Sequence, residues 1–204
     1  MQLILIRHGE TLWNKEKRVQ GKSDIELSEA GLEQARRLAV SLKHEDIAAI
    51  YSSPLKRARQ TADVINGYHG RTIEMHEELM EMSMGDFEGF SFEDLMARES
   101  VFLRRWIADP AAVRMPNGET LEELQNRAWP RIEKIIAKEE NALVVSHNFT
   151  IAAILCRVKN IHLSEFRSAC VGNASKTVLT IQNNETRIVA MDDQSHLSAP
   201  SREL

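Results

Sequence analysis

Short apolar runs alternate with amphipathic stretches along most of the chain. Continuous runs of strand-forming residues lie at 3–6, 47–52 and 142–146. Such runs are typical of strands buried on both faces of a sheet. Ser28 is a good N-cap for a helix that we expect to end near Lys43, and Pro54 is placed to open a second helix over 55–66. This alternation predicts parallel strands with helices between them.

Weaker patterns follow in the middle of the chain. A short strand near an edge of the sheet is expected at 72–75, and the glycine-bearing stretch 79–89 is predicted as a loop. Further helices are predicted at 92–108, 119–138 and 150–158. Pro130 lies inside the second of these, where proline should kink or break the helix.

The last predicted elements are two strands, at 177–181 and 187–190, joined by a turn at Asn183-Asn184. A hairpin of this kind makes at least one strand antiparallel. We therefore predict an α/β fold, a three-layer αβα sandwich with a mostly parallel central sheet, one antiparallel edge strand and a helical lid. The chain of 204 residues is predicted to form a single domain over 1–204, with the lid as a cap segment at about 90–117.

Composition and charge exclude several classes of protein. The net charge of −4 argues against a general nucleic-acid binder, whose binding surface is basic. No apolar run approaches the roughly 20 residues needed to span a membrane, and the N-terminus lacks the pattern of a signal peptide. The two cysteines, Cys156 and Cys170, are too few for a disulfide framework and are expected to be buried and inert. A cytoplasmic protein is the simplest interpretation.

Candidate chemistry lies where the predicted strands end. Arg7 and His8 follow the first strand, Arg57 lies just beyond the second, and His147 follows the strand at 142–146. Ligands of open α/β sheets bind outside the carboxyl ends of the strands. Two arginines and two histidines near helix N-termini predict a site for a phosphate or carboxylate.

These residue types suit phosphoryl transfer. Guanidinium groups stabilise the charge on a phosphoryl group, and His8 could attack phosphorus to form a phosphohistidine. Nearby positive charge would lower the pKa of His8 and keep it neutral and nucleophilic. A carboxylic acid must then protonate the leaving group; Glu81 is the candidate, and Glu10 is its rival on the sequence alone.

The chain resembles the histidine phosphatase superfamily, in its phosphoglycerate mutase-like branch. The resemblance rests on motifs in the same order along nearly the whole chain: Arg7-His8-Gly9-Glu10-Thr11, Trp13-Asn14, Gln20-Gly21, Tyr51 to Ala62, Leu79-Met80-Glu81, Gly85 to Gly89, Val145-Ser146-His147 and Asn173-Ala174-Ser175. It implies that His8 is the phosphorylated nucleophile and that Glu81 is the proton donor and later the base. It implies further phosphoryl or substrate contacts from Arg7, Arg57, His147, Asn14, Gln20 and Gly21.

The resemblance implies neither a metal nor another cofactor. One departure is Asn148, which stands where the family often has glycine after the second histidine and could add a contact to the substrate. A hydrolase of small phosphomonoesters is favoured over a phosphoglycerate mutase, because the cap segment lacks an arginine-rich insertion; Arg104 and Arg105 are its nearest equivalent. A non-catalytic phospho-ligand-binding domain ranks third. Such a domain should lack one of the residues proposed for catalysis, and this chain has all five: Arg7, His8, Arg57, Glu81 and His147.

The chain is similar to small α-ribazole, broad-specificity and metal-independent phosphoserine phosphatases. Its expected partner is a small phosphorylated metabolite, and an exposed strand or apolar lid could support a homodimer. We expect the cap segment to cover the pocket, while most of its apolar residues should pack rather than line a lid: Phe92, Leu95, Met96, Phe102 and Trp106. The remaining histidines are expected on the surface: His44, His69, His76, His162 and His196.

Overall fold

The computed structural model describes residues 1–183 and 185–198. Its strands are β1 (Gln2–Arg7), β2 (Ala49–Ser52), β3 (Ile73–Met75), β4 (Ala142–Ser146), β5 (Lys176–Gln182) and β6 (Glu185–Asp193). They form one sheet in the order β3-β2-β4-β1-β5-β6. The first four strands pair in parallel, whereas β5 runs antiparallel to both β1 and β6. The predicted mostly parallel sheet with an antiparallel edge is confirmed. Asn184, half of the predicted turn, lies outside the described residues.

Helices cover both faces of this sheet. They are α1 (Leu12–Lys15), α2 (Glu29–Leu42), α3 (Lys56–Asn66), α4 (Phe92–Arg98), α5 (Ser100–Ala108), α6 (Leu121–Ile136), α7 (Asn148–Lys159) and α8 (Ser195–Ser198). Side chains of β1 alternate between the two faces. Ile4 and Ile6 pack in one buried cluster with α2 and α3, while Leu3 and Leu5 pack in the other with α6 and α7. The three predicted layers are confirmed.

Several element bounds differ from the prediction. Pro54 lies ahead of α3, whose N-cap is Leu55. The helix α6 runs through Pro130 without a break. Pro130 and Asn126 are both exposed, so water can satisfy the Asn126 carbonyl that loses its helical donor. The helix α7 starts at Asn148, two residues earlier than predicted.

The cap segment consists of α4 and α5, which meet at Glu99, followed by a 3₁₀ turn at Pro110–Ala112. Three of its five apolar side chains named above pack as predicted. Leu95 and Trp106 are buried in the main core, and Phe102 packs against it. Phe92 and Met96 are instead exposed, so packing on the sheet does not account for these two.

Of the remaining histidines, His44 and His162 are exposed as expected, whereas His69 and His76 are partly buried. Cys156 is buried, but Cys170 is only half-buried and lies near Arg7 and Asn148. His196 is partly buried beside Lys176 and Asp193, and does not reach the cavity described below. Burial raises the pKa of both cysteine thiols, Cys156 and Cys170, to about 11, so neither is activated as a thiolate. No helix in the described ranges is long and apolar enough to cross a membrane. The same ranges hold no group of three or more His, Cys, Asp or Glu side chains that could bind a metal ion.

Candidate active site

The two histidines meet because their strands are neighbours in the sheet. β1 and β4 run parallel with Arg7 opposite Ser146, so the next residue of each strand, His8 and His147, leaves the same edge. Their ring centroids are 5.1 Å apart and both rings are buried. The carboxyl ends of the strands therefore bring together the residues that the sequence predicted there.

One ring nitrogen of His8 is fixed and the other is available. Nδ1 lies 2.7 Å from the carbonyl oxygen of Gly9, to which it can only donate a proton. This leaves Nε2 with a lone pair and no protein partner among the described residues. Burial lowers the pKa of His8 well below its ordinary value, and the charges of Arg57 and Arg7 lower it further. His8 is thus held as a neutral imidazole with a free nucleophilic nitrogen.

Two guanidinium groups flank His8; Arg57 is buried and Arg7 is half-buried. Arg57, in the first turn of α3, donates to the carbonyls of Ser23 (2.8 Å) and Gly21 (2.7 Å). Arg7 donates to the carbonyl of Val171 (2.6 Å). The Nε atoms of both arginines are buried and have no partner in the described part of the chain. Burial lowers the pKa of Arg57 to about 10 although Glu81 opposes the shift, which is the behaviour of a cation without a full counter-ion. The pair is suited to an anion.

The tautomer of His147 is set by Ser53. Ser53 Oγ accepts the Leu55 N–H (3.3 Å) and lies 2.8 Å from Nε2 of His147. Among the described residues Nε2 is the only acceptor within hydrogen-bond distance of this buried hydroxyl, so the hydroxyl donates its proton to Nε2 and Nδ1 carries the ring proton. Nδ1 is buried and unpartnered within the described residues. Burial and the charge of Arg57 lower the pKa of His147 well below its ordinary value. A neutral ring thus offers one N–H donor to a ligand.

Glu81 enters the site from the loop after β3, and the N-terminus of α7 binds its carboxylate. Oε1 accepts from the Met82 N–H (2.9 Å) and the Thr150 N–H (3.2 Å). The Thr150 hydroxyl lies 3.3 Å from Oε1 but donates its one proton to the closer Met80 carbonyl (2.8 Å). Oε2 accepts only the Phe149 N–H (3.2 Å). Oε2 is therefore the oxygen with room to carry a proton. The rival Glu10 instead accepts from the Ser28 hydroxyl (3.1 Å) at the start of α2 and does not line the cavity.

Two amides lie at the rim with their oxygens already bound. The Thr11 N–H donates to Asn14 Oδ1 (3.1 Å), and the Thr11 hydroxyl donates to Gln20 Oε1 (2.9 Å). The NH₂ groups of both side chains are thus available as donors. Asn148 accepts the Val171 N–H through Oδ1 (2.9 Å), which connects it to the residue that binds Arg7.

These groups line a cavity of about 170 Å³. The lining residues are Arg7, His8, Asn14, Arg18, Val19, Gln20, Gly21, Arg57, Glu81, Met84, Asn148 and Phe149. Ligand pockets commonly measure about 300–1,000 Å³, so this one is suited to a small molecule. His147 is not among the lining residues, although its ring centroid lies 5.1 Å from that of His8, which is. The cap segment supplies no lining residue; Trp106 instead lies behind Phe149, with ring centroids 6.1 Å apart.

Comparison with known proteins assigns this arrangement to a family. The model of the histidine phosphatase superfamily (branch 1) matches residues 3–194. The chain belongs to this family. Phosphoserine phosphatase 1 from Hydrogenobacter thermophilus is 34% identical over 199 residues, which cover 97% of this chain and 94% of that protein. The probable phosphoglycerate mutase GpmB of Yersinia pestis is 29% identical, over 98% of this chain and 97% of that protein. The solved structure of Bacillus stearothermophilus YhfR matches with a TM-score of 0.91 and 29% identity, over 96% of this chain and 98% of its own.

Sequence reasoning missed several groups that shape this histidine phosphatase site. Arg18, Val19, Met84 and Phe149 line the cavity, but each lies in a stretch with no periodic or motif signal. Ser53 belongs to the motif from Tyr51 to Ala62, but no role was assigned to it from the sequence. Its position directly after a buried strand, like that of His8 and His147, was the signal that could have identified it.

Proposed function

We propose that the chain hydrolyses small phosphomonoesters through a phosphohistidine on His8, without a metal ion. The observation that carries the proposal is the neutral His8 ring with Nδ1 bound to the Gly9 carbonyl and Nε2 free beside two guanidinium groups. Arg7 and Arg57 would bind the phosphoryl oxygens and His147 would donate to them from Nδ1. The two guanidinium groups would supply the positive charge that a bound metal ion supplies in metal-dependent phosphatases.

The reaction would proceed in two displacements. Nε2 of His8 attacks phosphorus, the bond from phosphorus to the ester oxygen breaks, and Glu81 gives its proton from Oε2 to that oxygen. Glu81, now ionised, then takes a proton from a water molecule whose oxygen attacks the phosphohistidine. The N–P bond breaks, inorganic phosphate leaves, and Glu81 is protonated again for the next cycle.

The size and lining of the cavity favour a small substrate with its own negative charge. Beyond the phosphoryl site the lining includes Val19, Met84 and Phe149, together with Arg18. Arg18 pairs with Glu16 through Nε (2.6 Å) and donates to the Gly89 carbonyl through Nη1 (2.9 Å), so its Nη2 is the group that faces no protein partner among the described residues. A short ester bearing a carboxylate, such as phosphoserine, would place its carboxylate near Arg18. The 34% identity to a phosphoserine phosphatase supports this class of substrate.

A mutase is the second candidate, because a probable phosphoglycerate mutase is 29% identical over almost the whole chain. It would share every step except the final acceptor, since the phosphohistidine would return its phosphoryl group to a hydroxyl of the substrate. The compact cap segment, which supplies no arginine to the cavity, argues for water as the acceptor.

The test is phosphate release in the presence of a chelator. The panel comprises phosphoserine, 3-phosphoglycerate, α-ribazole phosphate, sugar phosphates and p-nitrophenyl phosphate. Release by the native chain and none by His8→Asn, with an acid-labile phosphoryl group on the native chain in intact mass spectra, is the expected result. Conversion of 3-phosphoglycerate to 2-phosphoglycerate without release would make it a mutase. If no phosphate is released from any ester of the panel but the esters still bind, a non-catalytic domain would be favoured.

Two finer sequence-based expectations stay predictions. A cytoplasmic location would be tested by cell fractionation, and a homodimer by light scattering of the purified chain.

A further inference from the structure

The backbone that carries Glu81 is bound from outside by one arginine. Arg127, on α6, donates from Nη1 to the carbonyls of Glu78 (2.9 Å) and Met80 (2.8 Å). Its Nη2 donates to the carbonyl of Glu81 itself (2.8 Å). Three carbonyls within four residues of chain are therefore satisfied by a single side chain.

The same arginine forms a two-point ion pair with Glu119. Nε lies 2.8 Å from Oε1 and Nη2 lies 3.0 Å from Oε2. With the three carbonyls, this uses all five N–H groups of Arg127. Glu119 also accepts the Ser83 N–H (2.7 Å), so the pair binds the loop on both sides of Glu81. Both side chains are about four-fifths buried.

These contacts complete the hydrogen bonding of a loop without regular structure. The neighbouring Leu79 carbonyl accepts the Ser146 hydroxyl (2.7 Å), and the Met80 carbonyl also accepts the Thr150 hydroxyl (2.8 Å). Buried carbonyls need such partners. If Arg127 were lost, the carbonyls of Glu78 and Glu81 would be left without these partners and the Met80 carbonyl would keep only the Thr150 hydroxyl, so the backbone under Glu81 would be free to move.

We propose that Arg127, through its pair with Glu119, is a positioning residue that sets where the Glu81 carboxyl stands for proton transfer. The proposal rests on the role of Glu81 proposed above. A displacement of about 1 Å at a catalytic group can cost about 100-fold in rate. Arg127 itself does not line the cavity, so its loss should affect the proton-transfer steps and leave phosphoryl binding largely intact.

The chemistry of the leaving group separates this role from general support of the fold. An alkyl phosphate needs a proton on its leaving oxygen, so both displacements depend on Glu81. p-Nitrophenolate leaves without a proton, so with p-nitrophenyl phosphate only the attack of water depends on Glu81. A variant with a misplaced Glu81 should therefore release one p-nitrophenol per active site quickly and then turn over slowly.

The experiment measures pre-steady-state and steady-state kinetics of Arg127→Gln in the full chain. We expect a burst of p-nitrophenol with a rate constant within about threefold of the native chain, and steady turnover of both p-nitrophenyl phosphate and phosphoserine reduced by about 10- to 100-fold. Arg131→Gln is the matched control: it lies one turn along α6 and binds the same loop, but only through the Glu78 carboxylate (2.6 Å). It should behave like the native chain.

Each other outcome has a definite meaning. Equal losses in the burst rate and in steady turnover, or native rates for both, would overturn the proposal. The burst amplitude counts folded sites, and if Arg127→Gln yields no folded protein, Glu119→Gln takes its place with the same expected pattern. Glu81→Gln is measured alongside Arg127→Gln. If neither variant shows a burst followed by slow turnover, the proposed role of Glu81 fails. If Glu81→Gln shows this pattern and Arg127→Gln does not, only the role of Arg127 is refuted.

Discussion

Ser53→Ala is the perturbation whose consequences the structure defines most sharply. The Ser53 hydroxyl is the hydrogen-bond partner of the His147 ring at Nε2 (2.8 Å) and accepts the Leu55 N–H (3.3 Å). Both side chains, Ser53 and His147, are fully buried. Water therefore cannot easily replace the hydroxyl, and the substitution leaves a ring nitrogen and an amide without partners.

The magnitude follows from those two groups. Leaving a buried donor or acceptor unsatisfied costs about 1–3 kcal/mol each, and the long bond to Leu55 belongs at the low end. We expect the free energy of unfolding to fall by about 2–4 kcal/mol. If the lost preference for the Nδ1–H tautomer of His147 is worth about 1–2 kcal/mol, kcat/KM falls by about 5- to 30-fold.

Three measurements test this reasoning: urea unfolding, kcat/KM with p-nitrophenyl phosphate, and the ¹⁵N shifts of the His147 ring. Ser52→Ala is the control, because its hydroxyl is equally buried but donates to the Ser53 carbonyl (2.9 Å) and does not touch His147. It should lose stability without losing activity. The reasoning is refuted if the two variants lose activity equally, or if the ¹⁵N pattern of His147 is the same in Ser53→Ala as in the native chain.

Three further predictions concern pH, a turn and a rim amide. The pKa values of His8 and His147 are well below that of a histidine in the unfolded chain, so below about pH 6.5 the unfolded chain binds more protons than the folded chain. The free energy of unfolding, measured by urea titration, should therefore fall as the pH drops from about 6.5 to 5, by up to about 1.4 kcal/mol per pH unit for each ring. A free energy of unfolding that does not change with pH would contradict this. Gly21→Ala should destabilise by about 1–3 kcal/mol in thermal melts, because Gly21 has φ of +53° and a Cβ there would clash with the Glu88 carboxylate. Asn14→Asp puts a carboxylate where an amide donor faces the anion, so the inhibition constant of inorganic phosphate should rise by about 10- to 100-fold; an unchanged constant would remove Asn14 from the site.

The sequence predicts the strands and their ends well because burial on both faces leaves a local signal. Leu3 to Ile6 and Ala142 to Ser146 are continuous apolar runs, and the polar residues that follow them stand out. Parallel strands then bring those residues to one edge. This is why His8 and His147 could be placed together before the fold was known. Glu81 was identified with less support from its own surroundings, since its loop has no period.

Interactions between distant segments explain what the sequence did not predict. The start of α7 was placed two residues late because its N-cap, His147, makes no side-chain capping bond. The first N–H groups of α7 are instead bound by the Glu81 carboxylate, which lies more than sixty residues earlier in the chain. Arg127 similarly binds carbonyls forty-six or more residues away. No local pattern encodes such contacts.

The double use of Glu81, as helix cap and as proposed acid, determines which variant isolates its chemistry. Oε1 accepts two backbone N–H groups, those of Met82 and Thr150, and Oε2 accepts one, that of Phe149. Glu81→Gln keeps a carbonyl oxygen for the Oε1 contacts, whereas Glu81→Ala removes the cap and should lower the free energy of unfolding by about 1–2 kcal/mol more. Both variants should lose turnover of phosphoserine by about 100-fold or more. Urea unfolding with parallel kinetics measures both effects. Equal stability of the two variants would mean that the carboxylate does not cap α7, and that the 3.2 Å contacts to Phe149 and Thr150 contribute no net stability.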